Sequence, residues 1–160
     1  MALEIERKFR VADLSCTDGR SGLRMRQAYL DGSPALTLRV RIGGDRAWLT
    51  IKGPTVGITR SEYEYPIPVA DAEAMIHEFA TDPVIDKTRY EIDHAGLCWE
   101  VDVFHGDNAG LVTAEVELTA ENQVVELPPW LGREITDDRR YANSHLAAVP
   151  WCEWGDGEYD

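Results

Sequence analysis

Charged residues of one sign recur two positions apart along this chain. Glu4 and Glu6 precede Lys8, Arg39 precedes Arg41, Lys87 precedes Arg89, Glu100 precedes Asp102, and Glu115 precedes Glu117. Arg60 leads a related set, with Glu62 and Glu64, and Lys52 ends another alternating stretch. In an extended strand, residues i and i+2 share a face. Each set therefore projects from one face, opposite apolar residues such as Ile5, Val40 and Ile42, Tyr63 and Tyr65, Val101 and Val103, and Val116 and Leu118. Two arrangements fit. The charges coat the solvent faces of half-buried strands, or they line a common interior, where buried charges must pair or bind ions. Solvent faces usually include Thr, Ser and Gln; here acid pairs and base pairs are sorted, which favours the interior. Carboxylate pairs bind hard divalent cations through oxygen, and Arg and Lys grip phosphate oxygens. A polyphosphate with a divalent metal satisfies both sets. Lysine usage points the same way: the chain has 13 Arg but three Lys, and Lys8, Lys52 and Lys87 all fall in these segments.

The elements that must position these residues are short and alternating. Strands are expected over 3–11, 24–30, 35–42, 46–52, 59–67, 85–93, 97–104 and 111–119. Turn signals separate them at Asp31-Gly32, Gly43-Gly44, Gly53-Pro54, Asp82-Pro83 and Gly106-Asp107. Residues 71–81 read as a helix with Asp71 as N-cap and Ala74, Met75 and Phe79 near one face. Residues 137–148 read as a second, with Thr136 as N-cap. The fold class is mainly β (α+β): an eight-stranded antiparallel barrel or sandwich with two or more helices packed outside, closure into a barrel removing the exposed edges. A single domain over 1–149 and an acidic tail over 150–160 are expected. Trp130, Trp151 and Trp154 are placed over a barrel end. His77, His94, His105 and His145 show no ligand spacing and are assigned to surface or packing.

With 160 residues the chain suits one domain with its own core. A net charge of −13 argues against a general nucleic-acid or membrane-surface binder, yet a local cluster of bases with metal can override that field. No apolar run approaches the ~20 residues of a bilayer span, and the first ten residues do not resemble a signal peptide. Cys16, Cys98 and Cys152 form no CxxC pair, so free thiols in a reducing cytoplasm are expected and zinc is not.

EIERKF at the start resembles the E-x-E-x-K signature of the CYTH superfamily, the triphosphate tunnel metalloenzymes. The likeness continues through QAYL, LRVRI, LTIKG, RSEYE, DKTRYE, WEVDVF, AEVEL and GREITDDRRYANSHLA, in order over about residues 3–149. It implies an eight-stranded antiparallel barrel forming a tunnel. It also implies a metal-dependent hydrolase of inorganic triphosphate that releases phosphate and diphosphate, as in the short bacterial branch, with Mg²⁺ or Mn²⁺ as cofactor. Carried over, the metal-binding carboxylates are Glu4, Glu6, Asp102, Glu115 and Glu117, with Glu62 and Glu64 for a second metal or the attacking water. The phosphate-binding bases are Lys8, Arg39, Arg41, Lys52, Lys87 and Arg89, and Arg60 either joins them or pairs with the acids. Glu6, Lys8, Lys87 and Glu117 are expected at the chemistry. Gln27 and Tyr29 match a family segment, as do Asp137, Arg140, Tyr141 and Asn143, which read mainly as capping and helix docking. The alternatives are a nucleoside or thiamine triphosphatase and, in another class, a noncatalytic polyphosphate-binding module. The partner is a triphosphate-bearing small molecule, with no nucleic acid or membrane, and the oligomeric state is open, a homodimer included.

Overall fold

The structure, a computed structural model, describes residues 2–30 and 35–155. Nine strands are present: β1 (Leu3–Val11), β2 (Leu23–Tyr29), β3 (Thr37–Gly43), β4 (Arg46–Lys52), β5 (Thr59–Ile67), β6 (Ile85–His94), β7 (Leu97–Phe104), β8 (Val112–Glu117) and β9 (Leu131–Glu134). Eight of them run antiparallel in the order β5-β4-β3-β2-β6-β7-β8-β1, and β1 pairs back onto β5 to close a barrel. The ninth, β9, pairs only with the last part of β1. The expected Asp31-Gly32 turn lies outside the described residues.

Alternation sorts the side chains as the i, i+2 argument requires. Outward apolar residues form two clusters. Phe9, Trp99, Val101, Ala114 and Val116 are buried beneath the segment that follows β8, with Trp130 packed against them. Trp99 meets Phe9 and Trp130 edge-on, at 5.7 and 6.0 Å between ring centroids. Trp130 thus covers the barrel wall and not its end, contrary to the sequence expectation. On the far side, Val40, Ile42 and Ala47 pack under helix α1 (Val69–Phe79). Pro68 precedes this helix, which starts two residues before the expected Asp71 cap. Asp71 lies instead in the first turn, where its charge suits the helix dipole. The packed face is Val69, Ala72, Met75 and Ile76; Ala74 and Phe79 are exposed.

The C-terminal segment closes one end of the barrel. The expected helix over 137–148 is broken: a 3₁₀ turn at Arg139–Tyr141, capped by Asp138, gives way at Ala142 to a six-residue helix, α2 (Asn143–Ala148). Thr136 is not its cap; its hydroxyl accepts from the Lys8 backbone N–H at 3.1 Å and donates to Glu134 at 2.6 Å. Tyr141 and Leu146 pack with Trp151, Trp154, Tyr29, Ile85 and Phe104 across the barrel end. The packed unit therefore runs beyond 149, through Trp154. No helix among the described residues is long and apolar enough to cross a membrane.

Candidate active site

Strand order partitions the interior charges into two walls. The adjacent strands β4, β3, β2 and β6 contribute Lys52, Arg39, Arg41, Lys87 and Arg89, and the two carboxylates that share their parity, Glu91 and Asp93, are exposed farther along β6. The adjacent strands β7, β8 and β1 contribute Glu100, Asp102, Glu115, Glu117, Glu4 and Glu6, plus Lys8. The walls meet at two seams. At one, Arg89 sits opposite Asp102 on β6 and β7; at the other, β5 joins β1, with Arg60 opposite Glu4. A cavity of about 580 Å³ lies between the walls.

Ion pairs concentrate at the seams. Arg89 grips Asp102 through Nε at 2.8 Å and Nη2 at 2.9 Å, while Lys87 Nζ reaches the same carboxylate at 2.8 Å. Asp102 and Lys87 are both almost wholly shielded from solvent. Burial opposes ionisation of Asp102, but the charges of Arg89 and Lys87 hold its carboxyl well below the usual range. Lys87 is lowered to about 7, by burial first and by the neighbouring Arg89 and Arg41 charges, against the pull of Asp102. At the other seam, Lys52 Nζ lies 2.8 Å from Glu4 and 3.7 Å from Glu62. Glu4 is held at about 2 despite burial, by its hydrogen bond with Glu62 and by Lys52, whereas burial and that same bond raise Glu62 to about 7.

Each wall carries unmatched charge. Burial, then the like charges of Glu115 and Glu4, push the Glu6 carboxyl well up. Opposite it, Arg41 is lowered to about 10 by burial and by Arg39 and Arg89. Among the described residues Arg41 has no carboxylate within ion-pair distance; its Nε donates to the Gln27 side-chain oxygen at 2.9 Å. The buried Arg39 bonds Thr50 and Glu64 weakly, at 3.2 and 3.4 Å, and its Nε has no partner among the described residues. An unpaired buried donor is costly, and an oxygen acceptor placed in the cavity would remove that cost.

A profile of the CYTH domain matches residues 2–146. The chain belongs to the CYTH family. It is 44% identical to an inorganic triphosphatase of Acetivibrio thermocellus over 151 residues, covering 94% of this chain and 97% of that one. It is 38% identical to an inorganic triphosphatase of Nitrosomonas europaea over 149 residues, covering 90% and 96%. A crystal structure of an inorganic triphosphatase superposes with a TM-score of 0.65 at 37% identity, covering 92% of this chain and 95% of the other.

Within the CYTH barrel, Glu4, Glu6, Lys8, Arg39, Arg41, Lys52, Arg60, Lys87, Arg89 and Glu115 line one cavity. Four expected site residues stand back from it. Asp102 lies behind Lys87 and Arg89. Glu62 backs Lys52. Glu64 is partly exposed and accepts from Thr50 at 2.8 Å. Glu117, at the end of β8, is exposed opposite Glu6. Of the other contributors, only Glu100, two residues before Asp102, carries the spacing signal. Asn143, which reads from sequence as a helix-docking residue, accepts from Lys87 Nζ at 3.2 Å and from Gln27 at 3.1 Å. The Tyr141 carbonyl accepts from Lys8 Nζ at 3.2 Å, and Glu100 pairs with Arg89 at 2.8 Å. His145 also faces the cavity.

No three acids already converge on a metal-sized point among the described residues. The donor chemistry nevertheless suits a hard cation: Glu4, Glu6 and Glu115 supply only oxygens, and Glu6, raised by burial and then by the charges of Glu115 and Glu4, is a carboxyl that a nearby cation would help ionise.

Proposed function

We propose that this CYTH protein hydrolyses the terminal phosphoanhydride of inorganic triphosphate, using Mg²⁺ or Mn²⁺ held by Glu4, Glu6 and Glu115, with Glu117 at the rim. The observation that carries this reading is the division of the interior into a basic wall, whose Arg41 has no ion-pair partner among the described residues, and a facing acidic wall, whose Glu6 has none. A bare polyanion satisfies one wall and is repelled by the other; a metal–triphosphate complex complements both. The two relatives named inorganic triphosphatase support the choice of substrate.

In the reaction, a water oxygen forms a bond to the terminal phosphorus and the bridging P–O bond breaks, so that diphosphate leaves with its electron pair. Glu4, Glu6 and Glu115 would hold the divalent ion, which when bound would supply neutralisation of phosphate charge. Arg39, Arg41, Lys52, Arg60 and Arg89 bind phosphate oxygens in the bound substrate and throughout the transfer. Lys8, held by Glu115 and the Tyr141 carbonyl, reaches in from the acidic side. Lys87 is fixed by Asp102 and Asn143, and a base near 7 can exchange a proton with the departing diphosphate at neutral pH.

The test is phosphate release from tripolyphosphate, ATP and thiamine triphosphate, each with Mg²⁺, Mn²⁺ or chelator. Tripolyphosphate should give the highest kcat/KM and chelator should abolish turnover. Comparable efficiency with ATP overturns the substrate assignment; full turnover in chelator overturns the metal.

A further inference from the structure

The wall of the cavity is completed by the connection between β4 and β5, residues 53–58, and both of its stems carry proposed phosphate ligands, Lys52 and Arg60. The connection is a tight extension of the hairpin. Val56 and Thr59 exchange two backbone hydrogen bonds, of 2.8 and 3.0 Å, and Gly53 N–H donates to the Ser61 carbonyl at 3.0 Å. It is fastened from outside the barrel by one side chain distant in sequence. The Thr59 hydroxyl donates to Glu121 Oε1 at 2.6 Å. At Gly57, which sits at φ +64°, an added Cβ would stand 3.1 Å from that same oxygen. Thus the loop backbone comes directly against the carboxylate, and a side chain at 57 would press on it.

Glu121 is itself held in place. It follows β8 in a turn closed by the Gln123 N–H donating to the Ala120 carbonyl at 3.1 Å. The Gln123 side-chain oxygen accepts from both the Thr119 N–H, at 2.7 Å, and the Thr119 hydroxyl, at 3.0 Å. Both β5 and β8 flank β1, so the Thr59–Glu121 bond spans the strand that carries Glu4 and Glu6. It ties the rim loop to the acidic wall without touching the cavity, which Glu121 does not line.

We infer that Glu121 is a positioning residue, an external strap that sets the 53–58 rim and, through its stems, the placement of Lys52 and Arg60 on the substrate. Its kinetic consequence rests on the triphosphatase reading. Phosphate contacts made by those bases act in ground and transition states alike, so loosening them raises KM more than it lowers kcat.

The test combines amide hydrogen exchange with steady-state kinetics on tripolyphosphate for the full chain and for Glu121→Ala, Glu121→Gln and Thr59→Val. Glu121→Ala should speed exchange at the Val56 and Thr59 amides by roughly tenfold or more and raise KM by about fivefold or more with kcat within about twofold. Glu121→Gln keeps an acceptor oxygen and should stay near the parent in both. Thr59→Val should match Glu121→Ala, and the double variant should be no worse than either. Unchanged exchange in Glu121→Ala overturns the strap. So does an equal defect in Glu121→Gln, which would assign the effect to charge alone, or a fall in kcat as large as that in kcat/KM. A parent protein inactive on tripolyphosphate overturns the triphosphatase proposal instead, and the exchange data alone then decide whether Glu121 holds the rim.

Discussion

Two residues on opposite walls separate the roles assigned to acids and bases. Glu115 is paired with Lys8 at 3.3 Å, and its charge is the part that a cation would use. Glu115→Gln keeps the shape and should lower kcat by at least ~10²-fold, about 2.7 kcal/mol of transition-state stabilisation, with partial rescue by excess metal. Arg41→Ala should raise KM and resist rescue by metal, because the partner proposed for it is phosphate. A metal titration of kcat and KM on both variants, with folding followed by circular dichroism, decides the matter; rescue of Arg41→Ala alone would reverse the roles. Glu62 makes a different prediction. Its folded pKa stands at about 7, above the ordinary carboxyl value, because of burial and then the bond with Glu4. Between the two values the folded protein keeps a proton that the unfolded chain has released, so stability is lost as pH rises through that window. In chelator, melting temperature should fall as pH is raised from about 5 to 7, and Glu62→Gln should flatten the slope; an unchanged slope rejects the shared proton. At this scale the charged lining of the cavity was legible, because period two places Glu4, Glu6 and Lys8, or Arg39 and Arg41, on one face whatever surrounds them. Sequence alone left open whether a charge faces the cavity or backs a neighbour. Asp102 stands behind Lys87 and Arg89, and Glu62 backs Lys52 and bonds Glu4, whereas Glu115 lines the cavity beside Lys8.

Elements were legible where alternation is long. All eight barrel strands show it over six or more residues, and their bounds shift by two residues at most. β9 escaped because four residues carry no period, and its pairing depends on a β1 edge 120 or more positions away. The break in the C-terminal helix escaped because the competition is tertiary: Asp138 caps the 3₁₀ turn, and Tyr141 must drop into the barrel end while Asn143 turns to Lys87 and Gln27. A six-residue helix has little stability of its own, so α2 persists through what it buries. Leu146 is fully buried within the aromatic cluster of Tyr141, Trp151 and Trp154. Leu146→Ala should therefore cost about 2–5 kcal/mol and lower the melting temperature by roughly 5–15 °C. Val149→Ala, just past the same helix and half-exposed, should cost under about 0.5 kcal/mol. Calorimetry on both variants measures the difference, and similar small losses would mean that the segment does not seal the barrel end.

Across the whole molecule, the net charge of −13 and the two-walled interior make opposite demands on a ligand. The exterior field repels triphosphate and attracts cations, while the cavity offers guanidiniums to the one and carboxylates to the other. Either ligand alone meets one complementary and one hostile wall. A cation approaches Glu6 and Glu115 but faces Lys8 and the basic wall; a triphosphate approaches Arg39 and Arg41 but faces Glu4, Glu6 and Glu115. Bound together, each screens the other from the wall that repels it, so their binding should be positively coupled. The coupling is measurable as stability, because a ligand that binds only the folded state adds RT ln(1 + [L]/Kd), about 2.7 kcal/mol at a hundredfold excess over Kd. For a chain of 160 residues that corresponds to a rise of roughly 5–10 °C in melting temperature. Thermal unfolding should be followed with Mg²⁺ or Mn²⁺ alone, with a non-hydrolysable imido analogue of tripolyphosphate in chelator, and with both. Each alone should shift the midpoint by about 2 °C or less, and the pair should exceed their sum by several degrees. The excess should vanish in Arg41→Ala and in Glu115→Gln alike, since each removes one side of the complement. Additive shifts, or an excess that survives both substitutions, would mean that the two walls do not act on one bound complex, and the ligand would then lie outside the partitioned cavity.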